Sequence, residues 1–121
     1  MPQITVDYTD ELLDSGFDAG SFAHALHEAA VEIAGAKSET CKTQFRASEG
    51  TLVGLPDSDG EEHIVVHVTI GLLAGRSEEA KARLAEATLE LLRDCTPEGD
   101  FVLHASAEVR DLDASYRKFE R

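Results

Sequence analysis

At 121 residues, 42% hydrophobic and 29% charged, the chain is long enough to bury one substantial core and too short for two. A formal net charge of −13, from 24 acidic against 11 basic residues, excludes nucleic acid and anionic membrane surfaces as partners, because both require basic patches. No run of about 18 apolar residues is present to cross a membrane, and no basic-then-apolar leader opens the chain. The two cysteines, Cys41 and Cys95, lie far apart without metal-type spacing, so a cytoplasmic setting with reduced thiols is expected.

The opening MPQITVDY alternates Ile4, Val6 and Tyr8 against Gln3, Thr5 and Asp7, the period of a half-buried strand. Pro2 stands directly before it. Proline lacks the N–H a sheet needs, and the first position of a strand is one of the few that tolerates it. If Met1 is removed, the same residue presents a free secondary amine. ELLDSGFDAG reads as a turn-rich connection containing Gly16 and Gly20. From residue 21 to about 36, Phe22, Leu26, Ala29, Ala30 and Ile33 recur at helical spacing, with Gly35 as terminator. TCKTQFRA, residues 40–47, has strand character, with Cys41, Thr43 and Phe45 alternating against Lys42, Gln44 and Arg46.

Residues 48–62 form a polar linker with an extended piece at TLVGL. Its DSDGEE stretch hints at a calcium loop, but position six is Glu62 where that loop needs glycine, and position twelve is Val68 where it needs glutamate. A solvated acidic loop is the better reading. HIVVHVTIGLL, residues 63–73, is a longer and more apolar strand. A helix follows, with Ser77 as N-cap, Glu78 and Glu79 in its first turn, and Leu84, Ala87, Thr88, Leu91 and Leu92 as packing stripe. Gly99 punctuates, and FVLHASAEVRDL, residues 101–112, closes as a strand.

The halves match in letters: EAAVEI (28–33) lies over EATLEL (86–91). Two tandem β-α-β units follow, about 1–47 and 63–121, in a single domain spanning 1–121. Helix crossovers make the strands within each unit parallel. The fold class is therefore α+β, a duplicated β-α-β arrangement with a four-stranded sheet and two helices on one face. The other face must then find cover, and oligomerisation supplies it. His24 with His27, and His63 with His67, lack a third ligand at suitable spacing, so no metal is expected.

MPxxxVDYTD at the start, HVTIGLLAGRSEEAKARLAEA in the second half and EVRDLD near the end resemble the 5-carboxymethyl-2-hydroxymuconate isomerase family of the tautomerase superfamily. The resemblance covers nearly the whole chain, with the 46–62 connection a few residues longer than usual. It implies a duplicated β-α-β protomer assembled as a homotrimer, acting without cofactor on unsaturated keto-diacids. It carries the catalytic base onto Pro2 after Met1 is cleaved, and a clamping arginine of the GRS turn onto Arg76. A second family arginine falls on Lys42 in CKTQF, a departure from the pattern, with Arg46 the competing position. Tyr8 is a candidate pocket residue, although core packing suits it too.

Such chemistry needs one base able to accept a proton from carbon and return it elsewhere, hence a pKa near neutral. Burial and neighbouring cations both disfavour a protonated amine, so Arg76 and Lys42 would grip carboxylates and keep Pro2 basic together. Lysine in place of arginine keeps the sign but loses the bidentate fork. An acidic chain offers an anion nothing but its local cations, so the placement of each of the 11 basic residues matters. Two rival functions stand beside isomerisation. One is hydration or decarboxylation with a protonated proline as acid; the other is a non-catalytic ligand-binding or structural subunit if Met1 is retained, since the Pro2 nitrogen is then an amide.

Overall fold

The alternating opening becomes strand β1, Gln3–Thr9, in which Ile4, Val6 and Tyr8 are buried and the residues between them half-buried. The computed structural model describes residues 2–55 and 60–121. Met1 and residues 56–59, which hold part of the acidic stretch read above as a solvated loop, lie outside them.

The connection after β1 contains a one-turn helix, α1 (Glu11–Asp14), where the sequence suggested only turns. Leu12 is its reason: the turn drops that side chain into the core, fully buried. Helix α2 spans Ala19–Ala34, two residues earlier than the periodicity indicates, because Asp18 caps it by accepting from the Ser21 N–H at 3.1 Å. At its other end Gly35 takes φ 68°, a left-handed position open to glycine. The Gly35 N–H reaches the Val31 carbonyl at 3.1 Å, the bond of an αL cap, and the Ala36 N–H reaches the Ala30 carbonyl at 3.2 Å. A 3₁₀ turn, Ser38–Thr40, leads into β2, Lys42–Ser48. Residues 49–55 hold no strand, so TLVGL does not extend the sheet, and Leu52 and Leu55 are exposed.

The second half repeats the first. Strand β3 is His63–Leu72, helix α3 is Glu78–Cys95, and strand β4 is Val102–Asp111. Ser77 caps α3, its hydroxyl accepting from the Ala80 N–H at 3.0 Å. Leu84, Thr88 and Leu92 are the fully buried stripe.

Sheet order is β2-β1-β3-β4. β1 runs parallel to β2 from Gln3–Lys42 to Thr9–Ser48, and β3 runs parallel to β4 from His63–Val102 to Leu72–Asp111. The two units join through the antiparallel β1–β3 pair, Gln3 opposite Gly71 and Tyr8 opposite Val66. Phe22 and Leu26 of α2 and Leu84 and Leu92 of α3 share one core with Ile4, Val6, Ile64, Val66, Val68 and Ile70.

The opposite face is polar: Gln3, Thr5 and Asp7 stand beside Lys42, Gln44 and Arg46, and His67 and Thr69 beside Ser106 and Glu108. Arg46 pairs with Asp7 at 2.8 Å, His63 meets His104 at 3.0 Å, and His67 meets Ser106 at 2.7 Å. A face stitched in this way accepts either water or a second copy. The register also fixes one end of the sheet, where β1 and β2 begin and β3 and β4 finish. Pro2, the C-terminus of α2 and the turn into α3 all lie there.

Candidate active site

Pro2 is buried, and its carbonyl accepts the Lys42 N–H at 3.3 Å across the first rung of the β1–β2 pair. Were Met1 removed, burial of this kind would disfavour an ammonium at that nitrogen. Three segments meet beside this end of the sheet and line a cleft of about 530 Å³: Gly35, Lys37 and Thr40 after α2, Leu73 and Arg76 in the β3–α3 turn, and Tyr116, Arg117 and Lys118 after β4. Four of the chain's 11 basic residues line it, and among the described residues no acidic one does. In a chain of charge −13 this concentration of positive charge is the condition an anionic ligand requires.

Arg76 is half-buried and oriented by backbone. Its Nε donates to the Ala34 carbonyl at 2.9 Å and its Nη1 to the Leu73 carbonyl at 3.2 Å. A cation just before α3 sits poorly against the positive end of that helix. The structure resolves the conflict by sending the guanidinium across to the last turn of α2, where carbonyls and the negative end of the dipole welcome it. The position of Arg76 thus has a structural cause of its own. Of the five guanidinium N–H groups two are used, and three remain for a ligand.

Lys42 is exposed at the start of β2, its ammonium 3.4 Å from Glu120 and 3.3 Å from the Thr40 carbonyl. Arg46, the competing position, lies four residues further along the strand and is held by Asp7 through Nε and Nη2. Tyr8 is not brought to Pro2. It lies six residues along β1, about 20 Å away at strand rise, 7% exposed and edge-on to Phe45. Cys41 is buried next to this end of the sheet, and burial pushes its thiol above the usual range; Cys95 is raised for the same reason. Among the described residues no group of three or more His, Cys, Asp or Glu side chains is placed to hold a metal, and no helix is long and apolar enough to cross a membrane.

Residues 113–121 were missed by the sequence reading, and they contribute as much to the cleft as the expected positions. The Leu112 N–H donates to the Leu72 carbonyl at 2.6 Å, and the Leu112 side chain lies over Gly71, where even a Cβ would come within 2.6 Å of it. The Asp113 carboxylate turns the chain by accepting from the Ser115 N–H at 2.8 Å. The Tyr116 hydroxyl accepts from the Gln3 amide at 3.3 Å. These contacts place Arg117 and Lys118 beside Arg76. The signal was present as a cationic run, YRKFER, closing an acidic sequence.

The architecture just described, duplicated β-α-β units around one mixed sheet, is the tautomerase fold. Among solved structures, the chain is similar to a 5-carboxymethyl-2-hydroxymuconate isomerase from Deinococcus radiodurans R1, at 22% identity over 98% of this chain and 90% of that one, with a TM-score of 0.78. A 5-carboxymethyl-2-hydroxymuconate delta-isomerase gives 16% identity, 99% and 89% coverage, and a TM-score of 0.68. A fused 4-OT symmetric trimer gives 20%, 90% and 84%, and 0.64. The fold is also that of a malonate semialdehyde decarboxylase and of a member of the cis-3-chloroacrylic acid dehalogenase family. No family model matches the chain, and no curated protein matches it.

Proposed function

We propose that this protein is a cofactor-independent isomerase that moves one proton within a small unsaturated keto or enol carboxylate. The nitrogen of Pro2, freed by removal of Met1, takes a proton from carbon. The electron pair of that C–H bond enters the conjugated system as a dienolate, and the proline ammonium returns the proton at another carbon, so nothing is oxidised or reduced. Arg76 offers its remaining N–H groups to the carboxylate that anchors the substrate. Lys42 supplies a second positive charge without a fork, stabilising the developing negative charge and disfavouring the proline ammonium.

The observation that carries this reading is a buried Pro2 at the same sheet end as a cleft lined by four cations in a chain of charge −13. Two of the similar structures are isomerases, which supports the reaction class. The fused 4-OT trimer supports assembly of this chain as a homotrimer through its polar sheet face. A cytoplasmic setting agrees with two free thiols.

Intact-mass spectrometry of the purified protein, together with enol turnover of phenylpyruvate or 2-hydroxymuconate followed by ultraviolet absorbance, tests the proposal. The expected mass lacks one methionine, and Pro2→Ala lowers turnover by about 100-fold or more. A retained Met1, or a Pro2→Ala variant as active as its parent, overturns the reading. The decarboxylase and dehalogenase on the same fold favour a second reading, with protonated Pro2 as acid. The pH–rate profile separates the two: a base gives activity that rises through the proline pKa, and an acid gives activity that falls.

A further inference from the structure

We infer that residues 113–121 complete the substrate site, Arg117 together with Lys37 binding a second anionic group of the substrate while Arg76 holds the first. The inference rests on the reaction proposed above for its setting and goes beyond it in assigning specificity to residues that neither Pro2 chemistry nor the GRS turn involves.

Two observations meet here. The first is electrostatic. Among the described residues, Lys37 and Arg117 have no acidic partner, although the chain has more than two acidic residues for every basic one. Like charges gathered around one cleft repel each other, and nothing in the fold requires these two: both are exposed, and Arg117 touches only the Ala114 and Tyr116 carbonyls, at 3.2 and 2.8 Å. Those contacts occupy Nη1 and leave Nε and Nη2 for a ligand. An anion bound between them would remove the repulsion. Lys118 is already engaged by Glu120 at 3.5 Å, so it adds field more than direct contact.

The second observation is geometric. The segment does not trail from β4; Leu112 seats on Gly71, Asp113 turns the chain and Tyr116 fastens to Gln3, the residue after Pro2. A preorganised strap costs a ligand little ordering entropy. Arg76 enters the same cleft from a different segment, so a ligand with two separated carboxylates can meet both groups at once, whereas a monocarboxylate engages one of them.

Calorimetric titration at fixed, moderate ionic strength with 2-oxoadipate, a dianion, and phenylpyruvate, a monoanion, tests this. Arg117→Ala and Lys37→Ala each weaken 2-oxoadipate binding about tenfold and change phenylpyruvate binding by less than about twofold. Arg93→Ala, which removes a cation on the far end of α3, leaves both unchanged. Equal weakening of both acids, an unchanged affinity for the dianion, or an effect of Arg93→Ala as large as that of Arg117→Ala overturns the assignment. Binding is read without turnover, so failure here leaves the Pro2 reading standing, and a silent Pro2→Ala variant leaves this one standing.

Discussion

Arg76 is asked to do two things, and substitution separates them. Removing the side chain in Arg76→Ala deletes the hydrogen bonds to Ala34 and Leu73, at 2.9 and 3.2 Å. Charge-assisted bonds are worth about 1.5–3 kcal/mol each when sheltered, and with one of these exposed the pair contributes about 2 kcal/mol. In a chain of this size that lowers the melting temperature by roughly 8 °C. The lost fork to a substrate carboxylate costs about 3 kcal/mol more in the transition state, or roughly 150-fold in kcat/KM. Arg76→Lys keeps the sign and can reach one carbonyl, so it recovers about half the stability. It recovers little of the rate, because a point charge does not reproduce bidentate geometry. Urea denaturation and steady-state kinetics on the same preparations measure both. If Arg76→Ala lost the expected stability yet turned substrate over within about threefold of the parent, Arg76 would be a strut between α2 and the β3–α3 turn, and the clamp would be wrong. If turnover fell with stability unchanged, the carbonyl contacts would not be the anchor described.

Two further outcomes probe the surroundings of the site. Gly71→Ala places a Cβ 2.6 Å from Leu112 Cδ2, so Leu112 must turn away and lose about 1 kcal/mol of packing, offset by roughly 0.5–1 kcal/mol of backbone entropy. A urea double-mutant cycle should find Gly71→Ala near neutral in the parent and stabilising in Leu112→Ala, and equal effects in both backgrounds would contradict the contact. His27 bonds Thr43 at 2.8 Å, and burial, with a smaller contribution from His24, holds its pKa below the ordinary value. The unfolded chain therefore binds the proton more readily, and the stability His27 brings is complete above about pH 6.5 and lost as pH falls through its lower folded value. His27→Gln should flatten that part of the urea-midpoint profile, and an unchanged slope would remove His27 as its source.

Strand and helix periods carried most of the architecture. Ile4, Val6 and Tyr8 alternate because one face is buried, and Leu84, Thr88 and Leu92 repeat because one stripe is. Ser77 and Gly35 marked helix ends for reasons local enough to be legible. The start of α2 was misplaced because its cap, Asp18, stands before the apolar period begins. α1 escaped because a single turn has no period, only Leu12 needing a place in the core. The site divides in the same way. Pro2 and Arg76 were marked by a family pattern and are brought to one end of the sheet. Tyr8, a pocket candidate that suited the core as well, lies at the far end of β1 from Pro2, edge-on to Phe45. Lys37, Arg117 and Lys118 depend on three segments meeting in space, and no spacing along the chain encodes that meeting.

The acidic composition and the anionic ligand are reconciled by distance. At physiological ionic strength charges beyond about 8 Å are largely screened, so an anion in the cleft responds to its immediate neighbours more than to the total of −13. Several of the acids near the site are already engaged. Glu78 and Asp111 both pair with Lys81, at 2.6 and 3.3 Å, pinning the start of α3 to the end of β4. Glu120 lies between Lys42 and Lys118, and those two ammonium groups hold its carboxyl below the usual range. Asp113 spends its carboxylate on the Ser115 N–H. Lys37, Arg76 and Arg117 are left without acidic partners among the described residues, so the local field is positive although the protein is not. The surrounding negative charge then acts as a filter: a ligand is held only where several cations reach it together, and one that meets a single cation gains little over its attraction to water.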